Sequence, residues 1–356
     1  MLKNIQALRA LAVLVVALGH LQPLAGQVHP LLAWVSLGRG GVDLFFVISG
    51  FIMVYTTERE TPSAWQFALR RLIRIIPLYW LVTIGVFVLA LLAPGLLGAS
   101  RPDPVWLIKS LMFIPFDKGD GTVNPLIPVG WTLNYEMFFY ACFAAALLIP
   151  RRIISYVVAA VVIASLGAIG FSATFTGVLA NFYTRPILVE FSAGIALGLL
   201  TSRLPVLAGK RLAQFGIAAF LGFVVALAAT GFAPTEALRV AFAGSVSTCI
   251  VGLAIMLERG GWAVRNPVLL LIGNASYAIY LTHLFVTQAF IIGARALGAN
   301  APVISAVFLI AGLVASVLAG VTIFLLYERP VDRHLRRLVL SGTTPAIFRT
   351  GGPSGG

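Results

Sequence analysis

Residues 5 to 25 read IQALRALAVLVVALGHLQPLA, an apolar run of helix length broken by Arg9 and His20. Eleven residues separate the two, which at 100° and 1.5 Å per residue is about three turns, or roughly 16 Å along one helical face. An ionisable group at bilayer depth costs about 2.5 to 3.5 kcal/mol on insertion scales, so such groups face the protein interior and mark functional paths. This face therefore reads as a wall of an active site, with a cation near one end and an imidazole near the other.

Nine more apolar runs follow, at 41–57, 75–97, 129–149, 153–171, 185–201, 212–230, 237–257, 267–292 and 302–327. Most are near the 17 to 25 residues that cross a bilayer as a helix, and none shows the short alternating strands of an outer-membrane barrel. With 60% hydrophobic and 10% charged residues and a mean hydropathy of +0.99, the chain is expected to be all-α, a polytopic bundle of about ten transmembrane helices. Residues 1–340 read as one membrane-embedded domain. The Gly, Ser and Pro-rich stretch 341–356 reads as a disordered tail.

The net charge of +13 records orientation and gives no reason to expect a nucleic-acid partner. Lys and Arg fall in alternate connections, seventeen on the side of the N-terminus against seven on the other, with Arg9 in the membrane. The positive-inside rule then puts both termini in the cytoplasm. Lys3 and the small residues near Ala25 resemble a signal peptide, but Arg9 interrupts the apolar stretch and cleavage would spoil the alternation of charge.

Arg71 and Arg74 in RRLIRIIPLYW lie three apart on one helical face. Such arginines anchor a helix at the lipid surface, and a cluster of planar cations also binds phosphates through paired hydrogen bonds. Glu136 in GWTLNYEMFFY falls in the outer half of its span by helical rise, and so do His20 and His283, the latter in ASYAIYLTH, counted from the start of its run near Pro267. A buried carboxylate at the level of two histidines is a candidate base or an orienter of one. Asp43, Tyr140, Glu190 and His283 are candidates for substrate contact or for structural partnership, with Arg185 and Glu190 suited to an ion pair with another helix. Ser49, Gly50, Gly194 and Gly198 give small surfaces for close helix packing. Residues 105–116 are too short to span and read as an interfacial or re-entrant helix. Cys142 and Cys249 have neither metal-site nor disulfide spacing and read as packing residues.

Taken in order, Arg9 to His20, GVDLFFVISGF, RRLIRIIPLYW, GWTLNYEMFFY, ASYAIYLTH and YERP give the chain a resemblance to the acyltransferase-3 family of integral membrane acyltransferases, and within it to the branch that decorates exopolysaccharides and other glycans. The resemblance implies a ten-helix enzyme of the bacterial cytoplasmic (inner) membrane. Such an enzyme moves an acyl group, usually acetyl, from cytoplasmic acyl-CoA to a hydroxyl of a glycan or lipid-linked saccharide, with no metal. It implies roles for Arg9 and His20, a CoA-facing role for Arg71 and Arg74, and importance for Glu136; with the reading of the residues, His20 and Glu136 become the catalytic candidates and Arg9, Arg71 and Arg74 the donor-binding ones. In the mechanism that fits these residues, His20 is general base to the acceptor hydroxyl and Glu136 orients it or shares the proton; a covalent acyl-histidine fits as well. The alternative is a secondary transporter or flippase for a glycan or lipid, whose buried charges would bind substrate or protons.

Overall fold

The computed structural model describes residues 2–29, 37–93, 102–119, 121–201, 203, 218, 222, 235–298 and 301–340. The expected span at 212–230 and the tail at 341–356 lie outside the described residues. Among the described residues the protein is helical, and its only β feature is an isolated bridge between Asp117 and Val123.

The first run forms α1 (Lys3–His20) and α2 (Gln22–Val28), which meet at a bend of 73°. Pro23 lacks the N–H that would continue the ladder, and its ring would crowd the carbonyl of Gly19. Then come α3 (Leu37–Glu60), α4 (Ala64–Leu92), the short α5 (Pro104–Leu111), α6 (Trp131–Ala146), α7 (Arg152–Ile169), α8 (Val178–Phe182) and α9 (Leu188–Thr201). After the undescribed stretch come α10 (Glu236–Arg259), α11 (Pro267–Asn274), α12 (Ser276–Ala296), α13 (Pro302–Ile323) and α14 (Arg329–Leu340). A π-helical turn over Phe324–Glu328 joins the last two.

Six of these helices are long and apolar enough to cross a membrane, and seven if α1 and α2 form one broken span. At 16 and 14 residues, α6 and α9 are shorter than the expected runs at 129–149 and 185–201. The run at 267–292 is two helices broken at Ala275, a difference with consequences for the site. The protein is a multi-pass membrane protein. Outward faces of α7 and α13 carry Val161, Val307, Ile310 and Leu318, all exposed as lipid-facing residues are.

Start signals are ordinary helix chemistry. Ser63 and Gln66 form a reciprocal capping box at α4, Asp103 caps α5 and Asn266 caps α11. The helix α5, with Val105 and Ile108 exposed, is the short element expected at 105–116. The N-terminus of α1 is held from afar: Glu258 accepts from the backbone N–H groups of Lys3 and Asn4 at 2.8 and 2.7 Å. The Asn4 side chain bonds the carbonyls of Ala254 and Trp262 and the N–H of Val264.

Packing is closest where side chains are smallest. A Cβ on Gly50 would stand 2.1 Å from the Phe191 carbonyl, and one on Gly194 would stand 2.1 Å from that of Val47, so α3 and α9 cross backbone to backbone. Beside this crossing Phe191 stacks between Phe46 of α3 and Phe139 of α6, with both centroid distances 4.4 Å. On its other sides α1 packs against α3, α10, α11 and α12, and a Cβ on Gly273 of α11 would collide with the Gln6 carbonyl. Cys142 is half-buried and packs against the core, whereas Cys249 is exposed; both are free thiols.

Candidate active site

Where α1, α3, α4, α6, α11, α12 and α14 converge they line an open cavity of about 420 Å³. Arg9, Arg71, Arg74, Glu136 and Tyr140 all line it. Arg9 Nη2 donates to Ser276 Oγ at 2.8 Å, and Ser276 is the first residue after the break at Ala275. The break brings two small polar residues, Asn274 and Ser276, to the cavity wall.

Arg71 donates from Nη2 to Thr56 Oγ1 at 2.8 Å, and its guanidinium lies 5.2 Å from the Phe67 ring and 5.7 Å from that of Tyr140. Its Nε is buried without a hydrogen bond. Arg74 pairs with Glu328 at 2.6 Å. Pro77 interrupts α4 close by, and Tyr277 and Tyr327 donate to the carbonyls of Ile75 and Pro77. Glu136 Oε1 accepts from Ser49 Oγ at 3.0 Å and from the Tyr140 hydroxyl one turn on. The cavity thus offers several guanidinium groups, of which Arg9 and Arg71 have no carboxylate within ion-pair distance among the described residues.

His20 does not line this cavity. One end of the cavity is walled by Tyr280, whose hydroxyl shares a 2.8 Å hydrogen bond with Thr132 and reaches the Val129 carbonyl at 3.2 Å. The Tyr280 ring lies 5.8 Å from that of His283, which lies 5.0 Å from that of His20. His283 Nδ1 stands 2.6 Å from the Tyr280 carbonyl and 3.2 Å from that of Ile279. A carbonyl only accepts, so Nδ1 carries the hydrogen and the buried Nε2, which has no hydrogen-bond partner, keeps its lone pair. The structure therefore brings His20 to His283, with Glu136 on the cavity side of Tyr280. Equal depth along two helices says nothing of the direction in which each side chain points, and the break at Ala275 shifts the helix that carries His283.

Asp43 and Glu190 belong elsewhere. Asp43, fully buried, accepts from Arg239 Nη1, and Glu190 lies against Gly244, with Oε1 3.1 Å from where a Cβ would stand. Arg185 does pair with another helix, donating twice to Glu236 Oε2 at 2.9 and 2.6 Å. Arg239, counted by charge as an outside-loop residue, is a buried ion-pair partner at the start of α10. Reading the sequence also missed Ser276, Tyr280 and the cavity-lining Arg329, Arg333 and Arg336. The last three had a signal: spaced i, i+4, i+7, they share a helical face. Among the described residues no group of three His, Cys, Asp or Glu is placed to hold a metal ion.

Residues 2–325 match the family model described as an acyltransferase domain. The chain is 35% identical over 319 residues to the exopolysaccharide production protein ExoZ of Rhizobium meliloti, a match spanning 86% of this chain and 94% of that one. It is 27% identical over 359 residues to the acyltransferase MdmB of Streptomyces mycarofaciens, across 89% of this chain and 87% of the relative. A shorter match, 30% over 159 residues, covers 41% of this chain and 24% of the peptidoglycan O-acetyltransferase OatA of Listeria monocytogenes. No solved structure matches.

Proposed function

The chain belongs to the acyltransferase-3 family, and from that premise we propose that it is an integral membrane O-acyltransferase of the bacterial inner membrane, taking an acetyl group from cytoplasmic acetyl-CoA to a glycan hydroxyl on the far side. Membership in a family of acyl-transferring enzymes sets the transporter or flippase reading aside. A glycan acceptor is in keeping with the names of ExoZ and OatA.

The observation that carries the donor assignment is the pair Arg9 and Arg71, set inside the bundle on one cavity without carboxylate partners among the described residues. A guanidinium costs about 2.5 to 3.5 kcal/mol at bilayer depth, and an anionic ligand offsets that cost. Arg71 and Arg74 hold the donor's phosphates through paired hydrogen bonds. Arg9, held by Ser276, lies beside the pantetheine arm, so Arg71 is the guanidinium whose charge the phosphates offset directly. Glu136, fixed by Ser49 and Tyr140, accepts from an amide N–H of that arm. The acyl end meets the acceptor past Tyr280, where the acceptor oxygen bonds to the carbonyl carbon and the C–S bond breaks. The hydroxyl proton passes to His20 and then to the departing sulfur. His283, with its hydrogen fixed on Nδ1, orients the His20 ring.

The test is donor binding in lipid nanodiscs. Arg71→Lys with Arg74→Lys keeps the charge that topology requires and loses the planar fork. The double variant should insert normally and bind acetyl-CoA more weakly than the parent. Normal insertion with parental binding would reduce these residues to membrane anchors.

A further inference from the structure

Beyond Arg71 and Arg74, the cavity takes a second set of cations from the last described helix. Arg329, Arg333 and Arg336 of α14 line it, and α14 packs against α4, which carries Arg71 and Arg74. Some of this charge is already neutralised, Arg74 by Glu328 at 2.6 Å and Arg336 by Asp332 at 2.8 Å. Arg329 and Arg333 are exposed at the mouth and have no ion pair among the described residues.

A basic helix near a membrane ordinarily meets anionic headgroups, and a headgroup phosphate and a nucleotide phosphate share one chemistry. Placement favours the nucleotide. These arginines border the same cavity as Arg9 and Glu136, on a helix packed against the one that carries Arg71 and Arg74. A phosphomonoester carries close to two negative charges at neutral pH, and two guanidinium groups that lack carboxylate partners match it.

We propose that α14 is the second half of a phosphate clamp, in which Arg329 and Arg333 bind the 3′-phosphate of the donor nucleotide while Arg71 and Arg74 hold its pyrophosphate. The proposal rests on the acyl-CoA reading and makes the enzyme selective for CoA over donors lacking the 3′-phosphate. It also gives the terminal basic helix a task besides orientation.

Binding of CoA and of 3′-dephospho-CoA to the full chain, measured calorimetrically in nanodiscs of phosphatidylcholine alone, tests it. The parent should bind CoA about tenfold or more tightly than dephospho-CoA. Arg329→Gln with Arg333→Gln should weaken CoA binding by about ten- to a hundredfold and leave dephospho-CoA binding unchanged, which also reports an intact fold. Should the double variant lose both ligands, Arg333→Gln alone decides on the same two readouts. Equal binding of the two compounds by the parent, or retained discrimination in the variant, would overturn the clamp while leaving the acyl-CoA reading intact. A difference between variant and parent only when phosphatidylglycerol is added would assign the arginines to lipid and overturn it too. If the parent binds neither compound, the acyl-CoA reading itself falls.

Discussion

His20 ends α1 with its ring 5.0 Å from that of His283, and the two make different demands on a mutant. His20→Ala removes a polar group from a membrane span, so the protein should fold and insert while acyl transfer falls by about two to four orders of magnitude. His283→Ala should cost less, because it loosens the base without removing it. Transfer abolished in His283→Ala and intact in His20→Ala, in a radiolabelled acetyl-transfer assay, would exchange their roles. At this scale part of the cavity's charge was legible in the sequence: Arg9 and Glu136 stand out because apolar runs have no other use for them, and Arg71 and Arg74 by their spacing at the head of one, whereas Arg329, Arg333 and Arg336 were passed over. Tyr280 and Ser276 were not legible, since hydroxyls are common in membrane helices and only the three-dimensional arrangement singles these out. The partnership expected between Glu136 and His20 came from depth alone, and depth leaves the rotation of each helix open.

At the scale of elements, the crossing of α3 and α9 has no slack, because Gly50 and Gly194 let the two backbones touch. Gly194→Val should force the helices apart at a cost of about 1 to 3 kcal/mol or more, read as a lower thermal unfolding temperature in detergent. An unchanged midpoint would mean that the crossing has room for a side chain. Glu258→Ala should free the start of α1 by removing the acceptor of two backbone N–H groups, read as faster hydrogen exchange at Lys3 and Asn4. Parental exchange rates there would show that Glu258 does not hold α1. The small-residue spacing that marks the crossing was visible in the sequence; the clamp was not, since it joins residues more than 250 positions apart. Nor was the break at Ala275, because GNAS has no proline and a lone glycine is tolerated in a membrane helix.

For the whole molecule, the seventeen-to-seven distribution of basic residues makes a prediction independent of chemistry. Reporter fusions after Thr57, Pro150, Arg259 and the C-terminus should read cytoplasmic, and fusions near Val28, Gly119, Thr176 and Thr235 external. An external C-terminus would remove the expected ten-span arrangement and, with it, the proposed access of a cytoplasmic donor to the cavity. Helical class and membrane residence followed from composition alone. The length of each span did not, because α6 and α9 are cut short and the first run bends between α1 and α2, and hydropathy averages over such interruptions.

A charged cavity this deep inside a bilayer protein is also an electrical matter. Moving one elementary charge across a membrane is worth about 2.3 kcal/mol per 100 mV, and a water-filled passage would let that voltage discharge. Here the Tyr280 ring, with its hydroxyl tied to Thr132 and the Val129 carbonyl, separates the arginine-lined cavity from the histidine pair. On the proposed function the donor arm must pass this ring to reach His20, and a passage that opens only while the arm fills it would make the same wall insulation against that discharge.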